Sequence, residues 1–211
     1  MKKKINKKVS LAMVACMAVG MAGSVNVQAE SRYSQEDFVN VLDVTARVNE
    51  NLYAHYATDK YNVFSDMGAW HGYYLHSLDN LECFGGFAGP QVIGQDTGIN
   101  LSDCISRMKL TRANGEEIDL KNVRWPRVAY YPGKLLQYYE QRDDYKVTLE
   151  LIFASDRTNY VRTTIENLSD EPLVLDVEWE GKLFAENVAW GESYPTNATF
   201  EDSESGVQVW L

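Results

Sequence analysis

The stretch Tyr145-Lys-Val-Thr-Leu-Glu-Leu-Ile-Phe153 alternates between two kinds of residue along its length. Its odd-numbered residues are all apolar or aromatic, whereas its even-numbered ones include Lys146, Thr148 and Glu150. Because successive side chains of a β-strand point to opposite faces, this period of two predicts a strand with one face in a core and the other in solvent.

Similar segments lie on both sides of this strand along the chain. They alternate in the same way or adjoin a turn signal: Met108–Arg112 before the Asn114-Gly115 turn, Ile118–Leu120 after it, Leu135–Glu140 after the Pro132-Gly133 turn, then Tyr160–Glu166, Leu173–Trp179 and Gly206–Leu211. Short strands joined by polar turns are typical of antiparallel sandwiches. We therefore expect an all-β fold, an antiparallel β-sandwich that could be incomplete, over residues 62–211.

The segment before this sandwich, residues 30–61, has an ambiguous pattern. Ser34 and Asp37 could cap a helix, and the apolar residues from Phe38 to Val48 recur at helical spacing. The β-branched residues of the same segment also allow an extended conformation. The sequence thus predicts a short N-terminal arm that is either helical or extended.

The first 29 residues have the pattern of a signal peptide. A lysine-rich start precedes the apolar run Val9–Gly23, which is shorter than the roughly 20 residues of a membrane span, and Val27-Gln28-Ala29 suits a signal peptidase. We predict cleavage after Ala29 and a periplasmic or secreted protein. The alternative is a lipoprotein signal at Met13–Cys16, although the apolar run continues past that cysteine.

The charge balance excludes one class of partner. The chain has 20 Lys and Arg against 30 Asp and Glu, and five of the lysines lie in the leader, so the mature chain has 15 basic and 30 acidic residues. So negative a surface repels nucleic acid and anionic membranes. We therefore expect neither as a partner after signal cleavage.

Two cysteines, Cys83 and Cys104, remain after the predicted cleavage. In an oxidising compartment they could form a disulfide worth about 3 kcal/mol, or they could be two separate buried thiols, since their spacing does not fix the distance between them. The sequence has no Cys-x-x-Cys motif, no zinc-type Cys/His spacing and no dinucleotide or phosphate-binding loop. We expect no metal and no cofactor.

Glycine and aromatic residues are concentrated between residues 62 and 104. Seven glycines lie from Gly68 to Gly98, around the segments Phe64-Ser-Asp-Met-Gly-Ala-Trp-His-Gly-Tyr-Tyr-Leu75 and Gly85-Gly-Phe-Ala-Gly-Pro90. Such a density of glycine is typical of tight turns or of a backbone that approaches another group closely.

The first of these segments carries the candidate site. The ring of Trp70 offers an apolar face on which a sugar could stack, while Asp66 and His71 could hydrogen-bond to its hydroxyl groups. The alternative is that Trp70 is a core anchor and Asp66 a turn residue. Elsewhere no pair of carboxyl groups is marked as the acid and base of a glycosidase.

In this order, the two glycine-rich segments resemble the start of bacterial α-glucosidase-like members of glycoside hydrolase family 63. The similarity continues through Pro132–Gln137, Leu151–Thr158 and Trp179–Leu183, and covers about Asn62–Leu211. Cys83, just before the Gly-Gly-Phe motif, departs from the family's usual pattern.

The resemblance implies an N-terminal β-sandwich followed by a catalytic (α/α)₆ barrel that hydrolyses α-glucosidic bonds with inversion. It places the acid and the base in the barrel, so no catalytic residue is expected here. We expect this chain to end before the barrel and to be inactive alone. The resemblance further implies that Asp66, Trp70 and His71 line part of the oligosaccharide pocket of the complete enzyme.

Three hypotheses follow. A non-catalytic domain of an exported glycoside hydrolase predicts an exposed apolar face on the sandwich, where the catalytic domain docks. A stand-alone periplasmic carbohydrate-binding sandwich predicts saturable binding of a gluco-oligosaccharide. A structural or adhesion sandwich predicts neither.

Overall fold

A computed structural model describes residues 34–46, 48, 53–55, 62–76, 84–93, 97–123, 125–189, 192–195, 199–203 and 206–210. The predicted signal peptide, residues 1–29, and Cys83 lie outside these ranges. Among the described helices, none is long and apolar enough to cross a membrane.

The described elements are a short 3₁₀ helix and a series of β-strands. The 3₁₀ helix is Gln35–Phe38. The strands are β1 (Tyr53–His55), β2 (His71–Tyr74), β3 (Ala88–Ile93), β4 (Thr97–Asn100), β5 (Arg107–Arg112), β6 (Trp125–Tyr131), β7 (Lys134–Gln141), β8 (Tyr145–Phe153), β9 (Asn159–Asn167), β10 (Leu175–Glu180), β11 (Glu186–Ala189), β12 (Glu192–Pro195), β13 (Thr199–Ser203) and β14 (Gly206–Trp210).

These strands form antiparallel sheets. One has the order β1-β4-β3-β2, a second has the order β6-β7-β8-β9, and β5 pairs with β10. The hairpins β11–β12 and β13–β14 form two further pairs. The prediction of an all-β, antiparallel fold is confirmed.

The main core lies between the β6–β9 sheet and the β5–β10 pair. Along β8, every residue on the face of Tyr145 and Phe153 is buried, which is the face that the alternation predicted. Met108 and Leu110 of β5 belong to the same buried cluster. At one end, Arg112 of β5 also pairs with Asp144 of the β7–β8 turn at 2.5 Å.

The strand predictions were confirmed for β5, β7, β8, β9, β10 and β14. The predicted strand Ile118–Leu120 is wrong, because only an isolated bridge between Thr111 and Glu117 forms after the Asn114-Gly115 turn. Seven described strands were not predicted: β2, β3, β4, β6, β11, β12 and β13. The segments of β2, β3 and β4 are rich in glycine, which is rare inside strands. In β6, Pro126 cannot donate a ladder hydrogen bond. As β6 is at the edge of its sheet, it tolerates the proline.

In the described part of the N-terminal arm, one short helical turn forms and no helix continues from it. The 3₁₀ helix ends at Phe38, and Asn40 has a φ of 53°, outside the helical region. The backbone N–H of Asn40 donates to Tyr130 O at 2.8 Å, and its side chain accepts from Tyr130 N at 2.8 Å. Thr45 then forms a parallel bridge with Leu75. Past Phe38, the helical alternative is wrong for the described residues.

The sandwich has an open side, which we define by the inward-facing Val161 of β9 and Val177 and Trp179 of β10. Val161 is 37% exposed although its cross-strand partner Leu151 is fully buried. Val177 is 36% and Trp179 60% exposed, although Trp179 lies opposite the buried Met108. An exposed apolar face of the expected kind is therefore present.

Candidate functional site

The predicted site lies on a tight turn before β2. Asp66 begins it: its Oδ1 accepts from Met67 N at 2.7 Å, and its backbone O accepts from Ala69 N at 3.0 Å. Met67 and Gly68 have positive φ angles of 54° and 75°. Ser65 Oγ donates to Ala69 O at 2.9 Å. Asp66 is therefore a turn residue, as one alternative proposed.

Trp70 follows this turn, and its side chain is 71% exposed. Its backbone is fixed, because Ile93 N donates to Trp70 O at 2.8 Å. Met67 and Val92 are exposed apolar residues of the same region, and Val92 pairs with His71 across β2 and β3. The alternative that Trp70 is a core anchor is wrong.

His71 is half-buried against the end of the sandwich. Its ring lies 5.2 Å from that of Phe153 and 6.0 Å from that of Tyr73, between centroids. Its Nε2 is 3.4 Å from Asn159 Oδ1, which also accepts from Tyr73 OH at 3.1 Å. Burial raises the pKa of Tyr73 to about 12, so this hydroxyl stays a donor at neutral pH. His71 therefore anchors the turn to β8 and β9.

Asp66 faces the β6–β7 turn. A Cβ added at Gly133 would lie 3.9 Å from Asp66 Oδ2. The next residue, Lys134, pairs with Glu150 at 2.8 Å, and Arg162 also binds this carboxylate. The hydrogen bond from Lys134 and, after it, that from Arg162 hold the pKa of Glu150 below its usual value. The structure thus places Asp66, Trp70 and His71 on one segment, with Asp66 and His71 directed at different neighbours.

The second glycine-rich segment has a structural role. A Cβ on Gly85 would lie 2.6 Å from Met108 O, so only glycine allows this approach to β5. The carbonyl oxygen of Gly86 accepts from His76 Nε2 at 2.9 Å and from Gln137 Nε2 at 2.5 Å. Both side chains are fully buried. Because a carbonyl oxygen can only accept, His76 Nε2 carries a proton.

Tyr139 completes this buried network. Its hydroxyl donates to Gln137 Oε1 at 2.5 Å and accepts from Gly85 N at 3.3 Å. Gln137 was not among the residues predicted from the sequence. The sequence does contain a signal for it, because Gln137 lies between Leu135 and Tyr139 on the inward face of β7. A polar side chain in such a position needs hydrogen-bond partners, since burying an unsatisfied amide is costly.

The cysteine prediction stays open. Cys104 is buried, but Cys83 lies outside the described residues, so their pairing remains a prediction. Cys104 also lines a cavity of about 230 Å³, to which none of the predicted site residues contributes; its lining residues are Asp103, Cys104, Arg107, Glu180, Gly181 and Lys182. In the part of the chain that the structure describes, no three His, Cys, Asp or Glu side chains are grouped to hold a metal ion.

A comparison with protein-family models identifies a family for this chain. Residues 46–205 match the model described as "Glucosidase YgjK, N-terminal". The match covers 160 of the 211 residues, from β1 to β13 and including the turn with Trp70.

Proposed function

The chain belongs to the family of glucosidase YgjK N-terminal domains, and from this premise we propose that it serves an exported glycoside hydrolase acting on α-glucosidic oligosaccharides. In this proposal the sandwich is non-catalytic. It supports a catalytic (α/α)₆ domain and lines part of the sugar pocket through Asp66, Trp70 and His71.

The exposure of Trp70 carries the proposal. A large aromatic side chain that is 71% exposed on a hydrogen-bonded segment has a free face on which a sugar ring can stack. The turn at Asp66 and the contacts of His71 with Asn159 hold the segment in place, so little conformational entropy is lost on binding. Asp66 Oδ2 is then available as an acceptor for a hydroxyl group.

The non-catalytic role agrees with the state of Glu150, a partly buried carboxylate bound by two cations. A glycosidase general acid needs a raised pKa so that it is protonated when it meets the substrate. Lys134 and Arg162 lower the pKa of Glu150 instead and keep it ionised. Its ion pairs therefore suit a structural role on the outer face of β8.

The proposal of export depends on residues 1–29, which have the pattern of a signal peptide. We propose that they are cleaved after Ala29 and that the mature protein is periplasmic or secreted. Expression of the whole chain in a bacterial host tests this part directly. We expect the periplasmic or secreted product to begin at Glu30 by N-terminal sequencing. A product that retains residues 1–29, or that is lipid-modified at Cys16, would contradict it.

A domain exchange tests the function. Residues 46–205 replace the matched domain of glucosidase YgjK, and α-glucoside hydrolysis is measured for this chimera and for the isolated chain. We expect turnover only by the chimera, and a KM raised about tenfold by Trp70→Ala, equivalent to about 1.4 kcal/mol. The matched control Met67→Ala removes another exposed apolar side chain of the turn and should leave KM unchanged. Turnover by the isolated chain would refute the proposal.

The exposed Trp70 also favours a second candidate, a stand-alone carbohydrate-binding sandwich. Calorimetric titration of the isolated chain with maltotriose distinguishes the two. Saturable binding that is lost in Trp70→Ala, together with a chimera that has no activity, would establish this alternative.

A further inference from the structure

Strand β10 has one unpaired edge. It hydrogen-bonds to β5 along its whole length, from Leu175 opposite Arg112 to Glu180 opposite Arg107. Within the described ranges no strand pairs with its other edge. The backbone groups of that edge can therefore accept a further strand, which is the usual liability of an edge strand.

The side chains of β10 divide sharply between its two faces. The inward face, which continues the face of Met108 and Leu110, is apolar, and the outward face is acidic. The inward residues are Leu175, Val177 and Trp179, and the outward ones are Asp176, Glu178 and Glu180.

The inward face lacks a cover. Leu175 packs against the core, but Val177 and Trp179 remain exposed, as does Val161 of β9 across the open side. A strand added to β10 would place its own inward residues beside Val177 and Trp179 and remove apolar surface from water. Such a strand must therefore be apolar at alternate positions.

The outward face specifies the charge of the added strand. Residues directly opposite each other on neighbouring strands stabilise the pair when their charges are opposite and destabilise it when they are alike. On the side of β5, Arg107 and Lys109 lie opposite Glu180 and Glu178. On the free side, the opposite residues would face Asp176, Glu178 and Glu180, so Lys or Arg is required there.

The same charges disfavour a second copy of this chain. If two β10 strands paired in antiparallel fashion with their apolar faces on the same side, acids would lie opposite acids: Glu178 against Glu178, and Asp176 against Glu180. A shift of one residue avoids this clash but places the apolar face of one strand beside the acidic face of the other.

We propose that the free edge of β10 binds an extended segment in which apolar residues alternate with Lys or Arg. The segment adds to the β5–β10 pair as a further strand and covers Val177 and Trp179 on the open side. This inference rests on β10 and the open side beside it, and it is independent of the sugar-binding role of Trp70.

A pair of synthetic peptides tests this inference on the full chain. One alternates Lys and Val over about eight residues, enough to span a strand of six residues, and the other alternates Glu and Val. We expect the Lys peptide to bind saturably in calorimetry, and the Glu peptide to bind at least about tenfold more weakly. A third peptide has Pro in place of a central Val and the adjacent Lys. One of these two N–H groups must point to β10, so this peptide should not bind.

Two double variants distinguish peptide binding at the edge of β10 from a general attraction of the Lys peptide to the negative chain. Asp176→Lys with Glu178→Lys should weaken the Lys peptide at least about tenfold and admit the Glu peptide. Asp170→Lys with Glu171→Lys makes the same charge change in the exposed β9–β10 turn and should leave the affinity within about twofold. Equal losses in the two variants would refute the proposal, as would full binding of the proline peptide or no binding of the Lys peptide.

Two further measurements on the full chain test where the peptide binds and whether a second copy of the chain occupies the same surface. The Lys peptide should move tryptophan emission to shorter wavelength, and Trp179→Phe should abolish this shift. If sedimentation instead shows that the chain dimerises and that Trp179→Lys dissociates the dimer, the open side is a self-association surface and the proposal is wrong.

Discussion

The two glycine-rich segments of this protein look alike in sequence and differ in structure. The Asp66–Gly72 segment exposes its aromatic residue, Trp70, whereas the Gly85–Phe87 segment buries Phe87 in the main core. A Cβ at Gly68 would meet nothing within 4 Å, but one at Gly85 would overlap the backbone of β5. Glycine beside an aromatic residue thus indicates close backbone packing as readily as a ligand site.

Gly86 of the buried segment should be far less tolerant of an added methyl group than Gly68 of the exposed segment. In Gly86→Ala the new Cβ would overlap Ser106 O and lie 2.5 Å from Cys104 Sγ, so we expect a loss of about 3 kcal/mol in the free energy of unfolding. The matched control Gly68→Ala meets open space and has only the strain of its φ of 75°, about 1 kcal/mol. Urea denaturation measures both losses, and equal losses would contradict the distinction between these two glycines.

The hydrogen bonds under the buried segment should give the next largest effect. Gln137→Met keeps the volume but deprives Tyr139 OH of its acceptor and Gly86 O of one donor, which should cost about 2 kcal/mol. Gln141→Met, at the less buried end of the same strand, is the control and should change stability by less than about 0.5 kcal/mol. A Gln137 variant as stable as this control would show that the network is dispensable.

The ion pairs of Glu150 on the outer face of the β6–β9 sheet should make stability depend on pH. The pKa of Glu150 is lower in the folded protein, so its ion pairs stabilise the fold above the unfolded pKa, and this stabilisation is lost as pH falls through the folded value. At neutral pH Glu150→Gln should cost about 1.5 kcal/mol, and the difference from the wild type should vanish in acid. The exposed Glu171→Gln serves as control. A cost that does not change with pH would mean that the loss reflects packing.

The exposed segment should give the smallest effect on stability. Trp70→Ala should change the free energy of unfolding by less than about 0.5 kcal/mol, since most of the ring is in water. Thermal unfolding of this variant beside Trp70→Phe measures the effect. A loss above about 2 kcal/mol would show that Trp70 packs against the protein, and the contrast with Phe87 would fail.

The strands that could be predicted are those whose pattern is local. The alternation along β8 predicted its bounds at Tyr145 and Phe153 and its buried face, because one sheet face lies in the core. The same rule predicted that Val177 and Trp179 share one face of their strand, but not that this face points inward and that both remain exposed. Exposure depends on whether another layer covers β10, and no local period reports that.

The sequence by itself determined the all-β fold, the inward face of β8, the acidity of the chain and the choice of Asp66, Trp70 and His71 as residues of interest. Only the tertiary structure decided that Trp70 is exposed, that Asn159 contacts His71 across 88 positions of sequence, and that Gln137 supports Gly86. The physical reason is the range of the interactions: alternation and turns are set by neighbouring residues, whereas burial and hydrogen-bond partners depend on segments that meet only when the sheets pack.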